Sequence, residues 1–413
     1  MAVTRVRKIA MAAALLWGAA GTAAEARWIT SWAASPIPPG PKAASFADQT
    51  LRQRVRLSAG GRAIRVRLTN AFGSSPLAIG AARVVLLDAA GNEIPGSGRQ
   101  LSFGGVPGAT IARGAPLLSD PVRLPVPPLA RMAISLYLPG ETGPCTCHNT
   151  ALDDTEVSGR GDFTATPFQP VSLLKDRAFL AAVEVDAPGG AATVVTLGDS
   201  ITNGSGSTPG ADRRWPDRLA ERLATRRARV WGVANAGIGG NRVLGDVTGE
   251  SALTRFDRDV LSHPNVKLLI LFEGINDIGR SYGPTKTAEA AEAQHALQGR
   301  LTDPAQMIAA YRQIIERAHQ HGILVFGATI APFKGAGYYS NAGEAARQTI
   351  NRFIRTSGAF DAVLDFDTVF ADPADPASLR PGYHAGDHLH GSDAGYAAIA
   401  NSVDLTLFDR AGR

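Results

Sequence analysis

The chain has 413 residues, 45% of them hydrophobic and 19% charged. That length exceeds one ordinary core and that balance excludes a disordered chain, so two folded domains are expected. The formal charge is +5, and the basic excess lies in the front half, where residues 27–185 carry 16 Lys+Arg against 11 Asp+Glu; an excess that small does not make a nucleic-acid surface, and no nucleic-acid partner is expected.

Arg5, Arg7 and Lys8 precede a short apolar run, Ile9 to Ala20, and Ala24-Glu25-Ala26 follows with small residues at a cleavage spacing. Residues 1–26 therefore read as a signal peptide, and the protein as secreted or periplasmic. The alternative is an N-terminal membrane anchor. The run falls short of the ~20 residues that span a bilayer, and no later segment is long and apolar enough, so stable membrane insertion is not expected.

Residues 27–187 read as an all-β accessory domain, a sandwich or jelly roll. Ile64, Val66 and Leu68 alternate with Arg65 and Arg67, Val55 and Leu57 with Arg54 and Arg56, and Ile134, Leu136 and Leu138 repeat the pattern. That is the period of half-buried strands. The arginines are expected on a solvated face that also discourages edge pairing, with binding of an acidic polysaccharide as the sharper alternative. Trp28 and Trp32 are candidates either for interdomain packing or for stacking on sugar rings. Cys145-Thr146-Cys147-His148 leaves three readings open: an ordinary loop, a bridge across one residue, and a metal site without a second ligand pair at zinc spacing. The loop is the expectation.

Ala187-Pro188-Gly189-Gly190 reads as a linker, and residues 191–413 as the catalytic domain. Strands are expected at 193–197, 230–234, 267–272, 323–328 and 362–366, the third apolar throughout and so buried on both faces. Helices are expected over 215–227, from the Asp303 cap and Pro304 to about His321, over 342–355, and from Ser392 or Asp393 onward. Alternating strands and helices predict a parallel sheet with helices on both faces. Residues 278–302, rich in Ala, Glu and Gln, read as an insertion near the site or an extra helix without a role.

Ligands gather at the carboxyl ends of such strands. Gly198-Asp199-Ser200 follows the first strand and offers Ser200 on a strand-to-helix turn, where a hydroxyl needs a neighbouring base to become a nucleophile. Asn235-Ala236-Gly237-Ile238-Gly239-Gly240-Asn241 follows the second, with a backbone N–H at Gly240 able to meet an oxyanion. Gly274-Ile275-Asn276-Asp277 follows the third, and the neutral amide of Asn276 is a further oxyanion donor. Asp387-His388-Leu389-His390 lies near the C-terminus, where one loop presents both Asp387 and His390. His388 competes with His390 and ranks below it, being too close to Asp387. A metal reading of His384 and His390 lacks a partner cluster.

These four motifs, in this order, resemble the SGNH/GDSL hydrolase family. The resemblance implies a flavodoxin-like three-layer α/β/α fold, Ser200 as nucleophile, Asp387 and His390 completing a triad, and an oxyanion hole of Ser200, Gly240 and Asn276. It implies no metal and no organic cofactor. The front domain, opening with Trp28-Ile29-Thr30-Ser31-Trp32, is similar to the β-rich part of a two-domain, arylesterase-like or xylan-associated branch. Two departures stand out: Gly239 where serine is common, and Gly391 after the histidine where proline is common. The expected partner is a small-molecule or carbohydrate ester: a short-chain acyl or aryl ester, with O-deacetylation of a polysaccharide such as acetylated xylan as the alternative. A non-catalytic binding protein on the same fold is the reading from another class, and four filled chemical positions argue against it.

Overall fold

The computed structural model describes residues 27–226, 228–284 and 303–411. The signal segment and most of the 278–302 stretch lie outside them. The front part forms two main antiparallel sheets, with two small two-stranded ones at Leu77–Ile79/Ala109–Ile111 and Cys147–His148/Arg177–Ala178. One is ordered Arg27–Ala33, Leu180–Ala187, Gly61–Thr69, Pro116–Leu118, with Val122–Val126 also on the third. The other is ordered Ser172–Leu174, Thr155–Arg160, Gln49–Arg56, Arg131–Leu138, Ala81–Leu87, Arg99–Gln100. Ile64, Val66 and Leu68 from the first sheet and Ile134, Leu136 and Leu138 from the second are fully buried in one shared core. Each such side chain contributes about 1.5–3 kcal/mol, and a one-residue slip would turn a whole set toward the arginine face, so the alternation fixes the register.

The expected solvated arginine face holds for Arg54, whose side chain is 43% exposed, but not for Arg56, Arg65 and Arg67, which corrects the expectation from the sequence. Arg65 and Arg67 both donate to the fully buried Glu184 carboxylate at 2.6 Å, Arg65 from directly across the strand pair. Arg67 also reaches Ser262 in the second domain, and Arg56 pairs with Glu221 there. Arg56, Arg65 and Arg67 bridge strands and domains because carboxylates and a second packed layer cover them. The Arg65 guanidinium lies 4.3 Å over the Trp28 ring, occupying a face that a sugar would need. Cys145 and Cys147 are joined in a disulfide, so the loop expected there is a bridged one.

The presumed linker is a tight turn rather than a free spacer: Ala191 N–H donates to the Pro188 carbonyl, and the second domain begins at Ala192. The domains pack closely, with Thr30 N–H on the Thr193 hydroxyl at 3.0 Å and Val233 N–H on the Ser58 hydroxyl at 2.8 Å. Only glycine fits at position 232, where a side-chain carbon would lie 2.0 Å from the Thr30 carbonyl oxygen.

Among the described residues the second domain holds five parallel strands: β1 Ala192–Gly198, β2 Trp231–Gly237, β3 Val266–Phe272, β4 Leu324–Ala328 and β5 Ala362–Leu364. Their order is β2-β1-β3-β4-β5, a doubly wound order of the flavodoxin type. Every residue of β1 is buried, so the sheet is covered on both faces. Among the described residues the α-helices are α1 Ser200–Asn203, α2 Trp215–Ala224, α3 Ile275–Tyr282, α4 Pro304–Gln320, α5 Asn341–Thr356, α6 Phe366–Phe370 and α7 Asp393–Ser402. Asp303 caps α4 and Ser392 caps α7 through their side chains. Several boundaries differ from expectation: β2, expected to end at 234, runs on to Gly237. α2 stops at Ala224. β5 ends at Leu364 because the Asp365 side chain caps α6. The first residues of the 278–302 stretch are the second half of α3, held by the buried Ile278.

Candidate active site

Hydrogen bonding and side-by-side strand ends build the site. Gly198 on β1 stands opposite Gly237 on β2 and Phe272 on β3. Ser200, Gly240 and Asn276 follow those positions by two, three and four residues, so the register alone places the three motifs at one edge of the sheet. Ser200 opens α1 and is 7% exposed; the preceding Asp199 caps the helix by accepting from Ile201 N–H at 2.8 Å. Gly240 has φ +76°, a left-handed conformation that favours glycine, and the Thr248 hydroxyl would lie 3.1 Å from any added side-chain carbon. Asn276 is the second residue of α3. Its amide donates to the Asn241 carbonyl at 3.0 Å, joining the second motif to the third, and its oxygen accepts from the Tyr338 hydroxyl at 3.4 Å.

From the far end of the chain, His390 Nε2 lies 2.8 Å from Ser200 Oγ, and His390 Nδ1 lies 2.5 Å from Asp387 Oδ2. The other carboxylate oxygen accepts from the Leu389 and His390 N–H groups, both at 3.0 Å. Burial pushes the Asp387 carboxyl up, but these N–H groups and the imidazole outweigh it and hold the group below the ordinary carboxylate value. An ionised Asp387 can only accept, so Nδ1 carries the proton and Nε2 accepts from the serine hydroxyl. His388 turns away with φ +58° and stacks on His384, ring centroids 4.3 Å apart. Gly391 replaces the usual proline for a visible reason: a side-chain carbon there would lie 2.6 Å from the Tyr396 ring. Backbone pairing holds the loop instead, with Ala385 N–H on the His390 carbonyl and Ser392 N–H on that of Tyr383.

The floor of the site was not legible in the motifs. Arg255 is fully buried and donates to Gly198 O at 3.0 Å, Ala236 O at 2.7 Å, Asn241 Oδ1 at 3.0 Å and Asp259 at 2.9 Å. One guanidinium thus ties the ends of β1 and β2 to the loop that carries Gly240. In the sequence Arg255 and Asp259 are four apart, which by itself reads as a solvated helical pair; the apolar Phe256 and Val260 beside them were the available signal of burial. Besides Asp259, the buried carboxyls Asp199 and Glu273 lie near this cation, Glu273 Oε2 at 4.0 Å, and Asp277 is buried close to both. Burial raises Asp199 to about 7, with the Ile201 N–H opposing. Burial raises Asp277 to about 6 against the Val243 and Leu244 N–H groups, and raises Glu273 well above its ordinary value. Glu273 Oε2 is buried without a hydrogen-bond partner, consistent with a proton on that carboxyl. The front domain also touches the site. His148 is buried between the Ser35 carbonyl and the side chain of Asn203, the last residue of α1, at 2.8 and 3.0 Å. Among the described residues, no group of three or more His, Cys, Asp or Glu side chains is arranged to hold a metal ion.

Residues 196–398 match the GDSL-like lipase/acylhydrolase family. The second domain is a GDSL-like acylhydrolase. No curated protein matches the chain. Solved structures similar to the acylhydrolase domain include an acetyl xylan esterase from Geobacillus stearothermophilus, at 21% identity over 53% of this chain and 95% of that one with a TM-score of 0.40. Another is a lipase/acylhydrolase from Enterococcus faecalis, at 18% identity over 53% of this chain and 97% of that one with a TM-score of 0.38. A third is described as a lipolytic protein of the G-D-S-L family from Desulfitobacterium hafniense, at 22% identity over 51% and 96% with a TM-score of 0.37. As a member of this family the acylhydrolase is an ester hydrolase. Among the described residues no helix is long and apolar enough to cross a membrane.

Proposed function

We propose that the acylhydrolase is a secreted serine esterase acting on short-chain acyl or aryl esters through Ser200, His390 and Asp387. The continuous run of hydrogen bonds from Ser200 Oγ through the His390 ring to Asp387 carries this reading. His390 Nε2 takes the hydroxyl proton as Ser200 Oγ bonds to the ester carbonyl carbon. The oxyanion meets the Ser200 and Gly240 N–H groups and the Asn276 amide, whose two hydrogens allow one to stay on Asn241. His390 then protonates the departing alkoxide as the carbon–oxygen bond breaks. Water repeats the sequence on the acyl-enzyme, giving the acid and free Ser200, so no external reductant, oxidant or cofactor enters the balance. Secretion through residues 1–26 fits a disulfide between Cys145 and Cys147, since oxidising compartments preserve such bonds.

A fluorophosphonate probe tests the reading. Mass spectrometry of the folded protein should place one adduct on Ser200 and none in Ser200→Ala. An unlabelled wild-type serine, or hydrolysis of 4-nitrophenyl acetate undiminished in the alanine variant, would overturn it. Amino-terminal sequencing of exported protein tests the signal, with the mature chain expected to begin near Arg27.

A further inference from the structure

The loop that joins β4 to α5, residues 329–340, leaves the carboxyl edge of the sheet beside the end of β3, and none of the four motifs includes it. Ligands gather at that edge in sheets of this kind. The loop touches two parts of the catalytic machinery. At Gly335 a side-chain carbon would lie 2.8 Å from His388 Cγ, so the loop backs the segment that carries Asp387 and His390. Three residues on, the Tyr338 hydroxyl donates to Asn276 Oδ1 at 3.4 Å.

Helix α3 is shaped to receive this tyrosine. Glycine weakens a helix interior, so Gly279 needs a reason, and the reason is space. A side-chain carbon at position 279 would lie 2.4 Å from Tyr338 Cδ2, and one at Gly283, a turn further on, 2.9 Å from Tyr338 Cβ. The two glycines leave a groove for the ring. Phe333 packs on it with ring centroids 6.0 Å apart, and the Arg280 guanidinium stands 5.8 Å from its centroid. Burial raises the phenol above its ordinary value; the Asp199 carboxyl adds to this, Arg280 opposes it, and Asp387 adds further. The hydroxyl therefore keeps its proton, and those carboxyls mark it as facing the catalytic centre.

A planar amide held at one atom can still swing about that bond. Asn276 is held at both ends: Nδ2 donates one hydrogen to the Asn241 carbonyl at 3.0 Å, and Oδ1 accepts from Tyr338. We propose that Tyr338 is a positioning residue of the oxyanion hole, its hydroxyl fixing the Asn276 amide so that the second Nδ2 hydrogen is aimed at the developing oxyanion. A donor on the amide oxygen also draws electron density from the nitrogen and strengthens its N–H as a donor. This role rests on the reading of Ser200 as nucleophile and Asn276 as oxyanion donor, and adds a residue from outside the motifs.

A double-mutant cycle on 4-nitrophenyl acetate tests it. Asn276→Ala removes an oxyanion donor and should lower kcat roughly 10^2- to 10^3-fold. Tyr338→Phe keeps the ring in its groove and removes only the hydroxyl; kcat should fall roughly 10-fold, with KM within about twofold. Added to Asn276→Ala, the same change should cost less than about twofold, because the amide it orients is gone. A merely structural role would give equal losses in both backgrounds. That result, a Tyr338→Phe enzyme as fast as wild type, or a loss carried by KM would overturn the assignment. Each variant should still melt cooperatively; loss of that transition in Tyr338→Phe would mark the hydroxyl as structural and overturn it too. Asn276→Ala as fast as wild type would remove both the donor and its brace. Failure of wild-type enzyme to turn over the ester would instead remove the esterase reading, and this role with it.

Discussion

His390 and Ser200 stand 190 positions apart in the chain and 2.8 Å apart in the fold. Removing the imidazole leaves the hydroxyl without a base, and kcat is expected to fall roughly 10^6-fold in His390→Ala, with KM little changed. Asp387 acts through that ring, so its loss should cost less. Its two oxygens serve different partners, one the imidazole and one the Leu389 and His390 N–H groups. An asparagine has one oxygen for both tasks. With that oxygen kept by the backbone, its NH2 faces Nδ1 and selects the wrong tautomer. Asp387→Asn should therefore lose roughly 10^4-fold in kcat, more than Asp387→Ala, where the ring is free to find another acceptor. Steady-state kinetics on 4-nitrophenyl acetate decide the order; an alanine variant slower than the asparagine one contradicts it.

Three catalytic motifs were legible because each is short and follows a strand of the parallel sheet, whose 2-1-3 order brings them together; the fourth was legible from Asp387 and His390 three apart on one loop. What faces an apparently polar side chain was not legible. Arg65 and Arg67 alternate with buried aliphatics as a solvated row would, and only the fold reveals Glu184 between them. Arg255 lies outside every motif, and the packing of β1 against β2 that gives it three carbonyl and amide acceptors is a long-range event. The disulfide was undecidable from a spacing that also fits a loop. β5 was overrun by two residues because Phe366, apolar enough for a strand, instead packs from a helix capped by Asp365.

Arg255 yields a prediction of its own. It is a fully buried cation meeting Asp259, Gly198 O, Ala236 O and the Asn241 side chain. Truncation leaves three buried acceptors unpaired and Asp259 with Arg258 as its remaining cation, so Arg255→Ala should lose about 3–5 kcal/mol in urea denaturation. Arg255→Lys supplies a point charge without the planar fork and should recover only part of that loss. A lysine variant as stable as wild type would show that the charge alone suffices.

The buried carboxyls set the pH dependence of stability. Burial raises Asp199 to about 7, Asp277 and Asp217 to about 6, and Glu273 well above its ordinary value. Between the unfolded and folded values the native state holds more protons, so these groups lose stability as pH rises, about 1.4 kcal/mol per unit for each. His148 and His263, lowered by burial from 6.5 to about 4, act in the opposite sense and lose stability as pH falls through that window. The four carboxyls outweigh the two imidazoles from about pH 4.5 to 6, the two sets offset only between about pH 6 and 6.5, and the decline resumes above that as the imidazole contribution ends. Urea midpoints should drop from about pH 6.5 to about pH 8, and Glu273→Gln should flatten that drop. A midpoint rising over the same interval would contradict the assignment.

Separating the domains should abolish activity. The acylhydrolase domain alone, residues 191–413, would expose the surface at Gly232 that Thr30 covers and would lose the Ser58, Ser35 and His148 contacts. Expressed by itself it should be insoluble or inactive, whereas His148→Gln in the full chain should fold and lower kcat more than it raises KM, because α1 loses its brace. Full activity of residues 191–413 would show that the front domain serves substrate alone.

Gly391→Pro supplies the residue more usual after this histidine, and on that ground it looks harmless or stabilising. Here the position is closed. The Tyr396 ring lies where the new side-chain carbon must go, 2.6 Å away, and Tyr396 is itself fully buried with its hydroxyl on the Ser205 carbonyl, five residues beyond the nucleophile. Moving the ring would therefore disturb both ends of the Ser200–His390 pair. Overpacking of this kind costs about 1–3 kcal/mol, and the substitution should lower both the melting temperature and kcat. Pairing Gly391→Pro with Tyr396→Leu, which vacates the ring's volume, should restore part of the stability that the single proline removes. If the proline alone raises the melting temperature, the loop's rigidity, and not the space beside Tyr396, governs this position.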